Sequence, residues 1–270
     1  MVVQHNMQAA NTNRMLGQNV KAVSKSTEKL SSGYAVNRAA DDAAGLSISE
    51  KMRNQIRGIN QAVKNSEDGV SLIQTAEGNM NEIHSILQRM GELATKAAND
   101  VNATEDRTAI QDEITQLGQE IDSISSKAAF NGQKLLNGNF TDKKLQTGAK
   151  SGEVMTIKIS GMSSANLKVN NLSMASHTSA SSAMSAVTAA IKQVSAARSL
   201  LGAKQNRLEY TINNLENYSE NLTSAESQIR DTDMATEMTN YTKNNILQQA
   251  AQSMLAQSNQ STQGVLSLLQ

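Results

Sequence analysis

The stretch Ile48–Ala97, ISEKMRNQIRGINQAVKNSEDGVSLIQTAEGNMNEIHSILQRMGELATKA, contains no proline and returns an apolar residue at helical spacing along its whole length. Met52, Ile56, Ile59 and Val63 open the row, Ser66 fills the next place, and Val70 and Ile73 follow in the alternating four-three step of a helical seam. Past Ile73 the row continues as Ala76, Met80, Ile83, Leu87, Met90, Ala94 and Ala97, so two successive steps of three predict a stammer at Ile73. A second row through Leu72, Ile83, Ile86, Met90 and Leu93 widens the stripe, which predicts more than one packing neighbour here. Asp41 and Asp42 stand where an N-cap and a first-turn acid are wanted, and Asn99-Asp100 marks a break. A helix between those signals would be about 87 Å long at 1.5 Å per residue, against a radius of gyration of about 18 Å for a compact chain of this size. The expectation is a rod.

Outward from that helix, Thr104 is expected to cap a second, shorter one. Ile110, Ile114, Leu117, Ile121, Ile124 and Ala128 form its seam, and Phe130-Asn131-Gly132 ends it. Residues 131–176 change character: Asn-Gly pairs begin at 131 and 137, and alternation at Met155, Ile157 and Ile159, and again at Leu167 and Val169, predicts two or three short strands. A third long helix follows a Ser/Thr/Ala stretch, with Val187, Ile191, Val194, Leu201, Leu208, Ile212, Leu215, Leu222 and Ile229 in heptad phase. The ends are thinner. Residues 4–30 hold Met7, Leu16, Val20, Val23 and Leu30, and residues 234–258 hold Met238, Tyr241, Ile246, Leu247, Met254 and Leu255, among amides and small side chains. Such helices hold poorly in water without a packed face, and apolar Val265, Leu266, Leu268 and Leu269 imply a partner surface. The fold class is mainly α, a long antiparallel helical rod or coiled coil with a small β-hairpin region in the middle. The expected divisions are an N-terminal assembly helix and linker (1–41), rod helices (42–130), a hairpin region (131–178), a C-terminal rod helix (179–232) and a C-terminal assembly helix (233–270).

Composition narrows the function. The 270 residues include no Pro, Cys or Trp, two Phe and four Tyr, and 25 basic side chains balance 25 acidic ones. A nucleic-acid binder or polybasic membrane-surface protein would show an excess or run of basic charge, and none occurs. No apolar run reaches membrane-spanning length, and MVVQHNMQAANTN lacks the blocks of a cleavable signal. His5, His84 and His177 lie far apart, no nucleophile, phosphate-loop or metal motif is present, and neither an enzyme activity nor a cofactor is expected. His84 reads as a rim histidine beside the seam, Asp231-Thr232-Asp233 as a helix boundary rather than a calcium loop, and Met52, Met80, Met90 and Met254 as core filler. The amide-rich helix faces are either surfaces for close packing of identical subunits or plain solvated surface, and composition leaves both open.

The tracts NTNRMLGQNV, EKLSSGYAVNRAADDAAGLSISEKMRNQIRGINQAVKNSEDGVSLIQTAEG, LQRMGELATKAAND and FNGQKLL near one end, with IRDTDMATEMTNYTKNNILQQAAQSMLAQSNQ and VLSLLQ at the other, closely resemble bacterial flagellin. The resemblance spans about 1–140 and 180–270. It implies a structural subunit that polymerises into the flagellar filament for motility, is exported through the flagellar type III channel, and orders its terminal helices on assembly. Assembly would then run through Leu16, Val20, Val23, Leu30, Ile246, Leu247, Met254, Leu255, Leu266, Leu268 and Leu269. The implied partners are other copies of the chain, an export chaperone, filament cap and hook-junction proteins, and the host Toll-like receptor 5, with neither nucleic acid nor membrane. By the same resemblance Arg89, Leu93 and Glu113 form the receptor surface, while Gly91 and Lys96 depart from residues common in the family. Two alternatives remain: a hook-filament junction protein, and a secreted coiled-coil ligand that does not polymerise.

Overall fold

The computed structural model describes residues 6–267. In chain order the elements are α1 (Met7–Ser32), α2 (Ala43–Ala97), α3 (Thr104–Lys127), β1 (Ala129–Phe130), β2 (Gln133–Lys134), β3 (Lys143–Gln146), β4 (Val154–Ile157), α4 (His177–Arg230) and α5 (Met234–Ser267). The class is mainly α with a small β region, as the periodicity predicts, although that region holds four strands in two hairpins and begins at Ala129. Two compact units divide the chain: Arg57–Ser219 forms one, and the segments up to Ile56 and from Glu220 onward form the other. The cut passes through α2 and α4, so both long helices serve both units.

Nearly all of the apolar core belongs to Arg57–Ser219. There α2 and α4 run antiparallel, since Asn60 meets Ser219, Glu77 meets Arg198 at 3.5 Å, and the Ala98 carbonyl meets the His177 ring. α3 folds back on α2 through Arg89 and Glu113. The buried row on α2 departs from the sequence expectation. It runs Ile59, Ala62, Ser66, Gly69, Ile73, Ala76, Met80 and onward in unbroken three-four alternation, with Val63 and Val70 half-buried beside it. No stammer lies at Ile73, and the paired steps of three sit instead around Ile59, between Ile56 and Ala62. The reason is packing. Leu145 and Leu208 press on Gly69, where a Cβ would collide with Leu145 and come within 3.3 Å of Leu208, so the seam needs its smallest residue there.

Capping differs as well. Asp42 caps α2 by accepting the Gly45 N–H at 2.9 Å. α3 begins at Thr104, and its cap position is Ala103, whose N–H donates to Asp106 Oδ2 at 3.2 Å, so the Thr104 hydroxyl does not cap.

The middle of the chain supplies a lid of apolar side chains over the three helices, among them Leu135, Leu136, Phe140, Met155, Ile157 and Met162. β1 and β2 pair across Asn131-Gly132, both at positive φ (47° and 75°), the mirror-image turn that matches strand twist. β3 pairs antiparallel with β4, Leu145 opposite Met155. The alternation at Leu167 and Val169 is not a strand. Leu167 and Val169 donate to the Ser163 and Ser164 carbonyls at 3.0 and 2.9 Å, and Lys168 at φ 58° turns the chain so that both apolar neighbours point inward. Asp122 anchors this turn, accepting from the Ser164 N–H at 2.8 Å and hydroxyl at 2.7 Å.

In the other unit α1 and α5 lie antiparallel: Asn6 donates to the Ser258 carbonyl at 3.2 Å, and Lys29 pairs with Glu237 at 4.0 Å. Gly33, at φ 79°, ends α1 with its N–H on the Lys29 carbonyl. The connections are stitched by a short ladder, Ala35 N–H to the Arg230 carbonyl at 2.7 Å and Thr232 N–H to the Gly33 carbonyl at 2.9 Å. The Arg230 guanidinium lies 4.6 Å from the Tyr34 ring centre and pairs with Glu50 at 2.9 Å.

Candidate functional site

The terminal helices pack through a seam that the apolar pattern does not reveal. On α1 the less exposed row is Ala9, Thr12, Leu16, Asn19, Val23, Ser26 and Leu30, and on α5 it is Glu237, Tyr241, Asn244, Gln248, Ala251, Leu255 and Ser258, both in strict heptad phase. Small and amide side chains fill much of this seam, and the two backbones approach closely along it. Of the residues expected to drive assembly, Leu16, Val23, Leu30 and Leu255 are half-buried in this seam. Four more are exposed: Val20 43%, Ile246 61%, Leu247 43% and Met254 60%. Ile246 occupies the side of α5 turned away from the seam, and Leu247 and Met254 lie along its edge, each three or four residues from seam positions. Leu266 lies within α5, but its side chain, like Leu268 and Leu269, is outside the described residues. Met254 is therefore no core filler, whereas Met80 and Met90 are fully buried.

Polar groups hold the helix ends of this unit. Asp233 caps α5, accepting from the Ala235 N–H at 2.9 Å and the Thr236 hydroxyl at 2.7 Å, and the Thr236 contacts hold its carboxyl below the usual range. Lys25, 2.8 Å away, does the same for Asp41, which also accepts the Arg38 N–H. The hydrogen bond from Arg230 lowers Glu50.

The second candidate surface is a shallow groove of about 440 Å³ between α2 and α3, lined by Arg89, Glu92, Leu93, Lys96, Asp106 and Glu113 among others. Arg89 Nε and Nη2 both donate to Glu113 Oε1, at 3.0 and 2.8 Å, and Nη1 reaches Glu92 at 3.3 Å. The Glu113 bond is the main reason the guanidinium pKa is raised. The Arg89 and Glu113 side chains are 52% and 43% exposed, but Leu93 is only 4% exposed and forms the floor. The groove thus presents an ion pair over a buried leucine, not a projecting apolar anchor. His84 sits at the edge of the α2 seam beside Gln88. Among the described residues no cluster of His, Cys, Asp or Glu is placed to hold a metal ion.

Residues 3–141 match the profile of the bacterial flagellin N-terminal helical region, and residues 184–269 that of the bacterial flagellin C-terminal helical region. The chain is 52% identical over 271 residues to a flagellin of Halalkalibacterium halodurans, with all of both chains covered. It is 48% identical over 305 residues to a flagellin of Bacillus subtilis, again with full coverage of both. Among solved structures it is similar to a flagellin of Bacillus cereus, with a TM-score of 0.51 and 31% identity, over 56% of this chain and 88% of that one.

Proposed function

The chain belongs to the bacterial flagellin family, and from that premise we propose how its two surfaces divide the work of a filament subunit. It is a structural subunit of the flagellar filament, self-polymerising and not an enzyme, and it acts outside the cell in the filament that drives motility. Among the described residues no helix is long and apolar enough to cross a membrane.

The terminal unit is the polymerising element. One observation carries this reading: large apolar side chains on α5 stay exposed outside the α1–α5 seam, Ile246 and Met254 about three-fifths so. Exposed apolar area of that kind contributes roughly 25 cal/mol per Å² once another subunit covers it. Val20, Ile246, Leu247 and Met254 make contacts between subunits, Leu16, Val23, Leu30 and Leu255 hold α1 to α5 within one, and Leu266, Leu268 and Leu269 extend the assembly surface at the C-terminus. The test is elongation of short filament seeds by purified chain, followed by electron microscopy and circular dichroism. Ile246→Ser and Met254→Ser should abolish elongation, and wild-type rates from the double variant would remove the assignment.

The same apolar face of α5 suits capture by an export chaperone before assembly, and filament cap and hook-junction proteins would meet the same terminal helices at the two ends of the polymer. The Arg89–Glu113 groove is the surface offered to Toll-like receptor 5 by the monomer. Arg89 and Glu113 make the contact and Leu93 supports them from below.

A further inference from the structure

The 128–168 segment carries six lysines against Asp142 and Glu153, whereas α3 before it carries six acids against Arg107 and Lys127. Net charge is zero, so this segregation needs its own physical account. Lys143, Lys144, Lys150 and Lys158 are exposed, and none of them has a carboxylate partner among the described residues. Lys143 and Lys144 also line a small pocket of about 260 Å³, whose apolar wall includes Leu72, Phe130, Phe140 and Leu145, with Asp68 as its one acid. Lys143 Nζ lies 5.9 Å from the Phe140 ring centre. The pocket is a mostly apolar hole beside unpaired cations.

Its complement is on the same unit, about 38 Å away along α2 at 1.5 Å per residue from Leu72 to Ala97. The turn between α2 and α3 presents Val101 at 87% exposure, the most exposed large apolar side chain of the chain as described. Asp100, 79% exposed although one oxygen meets Arg107 Nη2 at 3.0 Å, precedes it, and exposed Glu105 follows in the first turn of α3. An isolated valine between acids has no packing role within the subunit.

Resting on the filament reading above, we propose that the lysine-lined pocket of one subunit receives the Asp100–Glu105 turn of the next copy of this chain, Val101 entering the pocket and Asp100 and Glu105 facing Lys143 and Lys144. Two unlike patches on one subunit make a heterologous contact, which propagates instead of pairing off in a dimer and so suits an open filament. Opposed charges around a small apolar insertion set the register and speed the encounter more than they add affinity.

Charge reversal of the full chain tests this. Wild-type elongation of wild-type seeds reads the filament assignment by itself. With that in hand, K143E/K144E and, separately, D100K/E105K should raise the concentration needed for elongation roughly tenfold or more, the equivalent of about 1.4 kcal/mol. An equimolar mixture of the two variants, and the chain carrying all four changes, should recover elongation, because each reversed turn then meets a reversed pocket. Circular dichroism of each variant confirms that helicity is retained. Val101→Ser should also raise the threshold. Wild-type elongation by K143E/K144E overturns the contact. So does failure of both the mixture and the four-change chain to recover while helicity is intact. Loss of heparin binding by K143E/K144E with elongation unchanged would overturn it too, assigning the lysines to a polyanion.

Discussion

Gly69 lies beneath Leu145 and Leu208, and Gly69→Val should cost about 1–3 kcal/mol by overpacking, measured as a lower midpoint in urea. Gly91 is the opposite case: a Cβ there would make an ordinary 3.7 Å contact with Val187 Cγ1. Gly91→Ala should therefore raise stability by about 0.5–1 kcal/mol through helix propensity alone, and an unchanged or lower midpoint would contradict the packing described. At the groove proposed for the receptor, Arg89→Ala should weaken binding of monomer to Toll-like receptor 5 about tenfold at unchanged thermal stability. Leu93→Ala should instead lose about 2–5 kcal/mol of stability, because that side chain is in the core. A variant at Leu93 that loses binding at full stability would return it to the contact surface. The family resemblance grouped Arg89, Leu93 and Glu113, but a motif match could not tell a floor from a knob, which depends on what packs over each side chain.

The element boundaries of the terminal unit are held by carboxylates. Asp41, Glu50 and Asp233 each have a folded pKa below the ordinary value, through Lys25, Arg230 and Thr236 respectively. A lowered folded pKa means that the unfolded state binds protons more readily. The stability these groups contribute is present above an unfolded pKa of about 4 and is lost as pH falls through the folded value. The amides of Ala35 and Thr232, in the ladder joining the connections of this unit, should therefore lose exchange protection below about pH 4, after correction for intrinsic exchange rates. Amides of Leu87 and Val194, in the core of the other unit, should keep theirs. Equal loss at both places would show that these carboxylates do not set the acid response. The caps at Asp42 and Asp233 were legible as acids before helical runs. The Ala103 cap was not, because the acceptor is three residues on, at Asp106, and the cap residue itself has no polar side chain.

For the molecule as a whole, the division of apolar burial separates folding from assembly. The core gathers in Arg57–Ser219, while α1 and α5 have only Ser26, Ala251 and Ser258 buried among their described side chains. A chain reduced to residues 43–230 should keep cooperative unfolding, followed by circular dichroism on heating, yet fail to extend filament seeds. Extension by that fragment would show that polymerisation does not require the terminal helices. The zero net charge suits polymerisation as well, since like subunits can stack without a summed repulsion.

Periodicity, the absence of proline and the two Asn-Gly turns were enough to determine long helices, a mid-chain hairpin region and helical ends too poor in apolar residues to stand alone. Those properties are local, each a matter of neighbours within a turn of the same element. Which side of each helix is buried was decided only in three dimensions. Val63 and Val70 lie half-buried beside a seam that runs through Ala62 and Gly69, and at Gly69 a close-packed interface selects for fit, since a glycine under leucines from other elements fits where a valine does not. Leu167 and Val169 were turned inward by one left-handed residue in place of a strand, and the α1–α5 seam went to amides and small side chains whose value appears only when two backbones approach closely. The large apolar residues of α5 were thereby left on the outside, where only another chain can cover them.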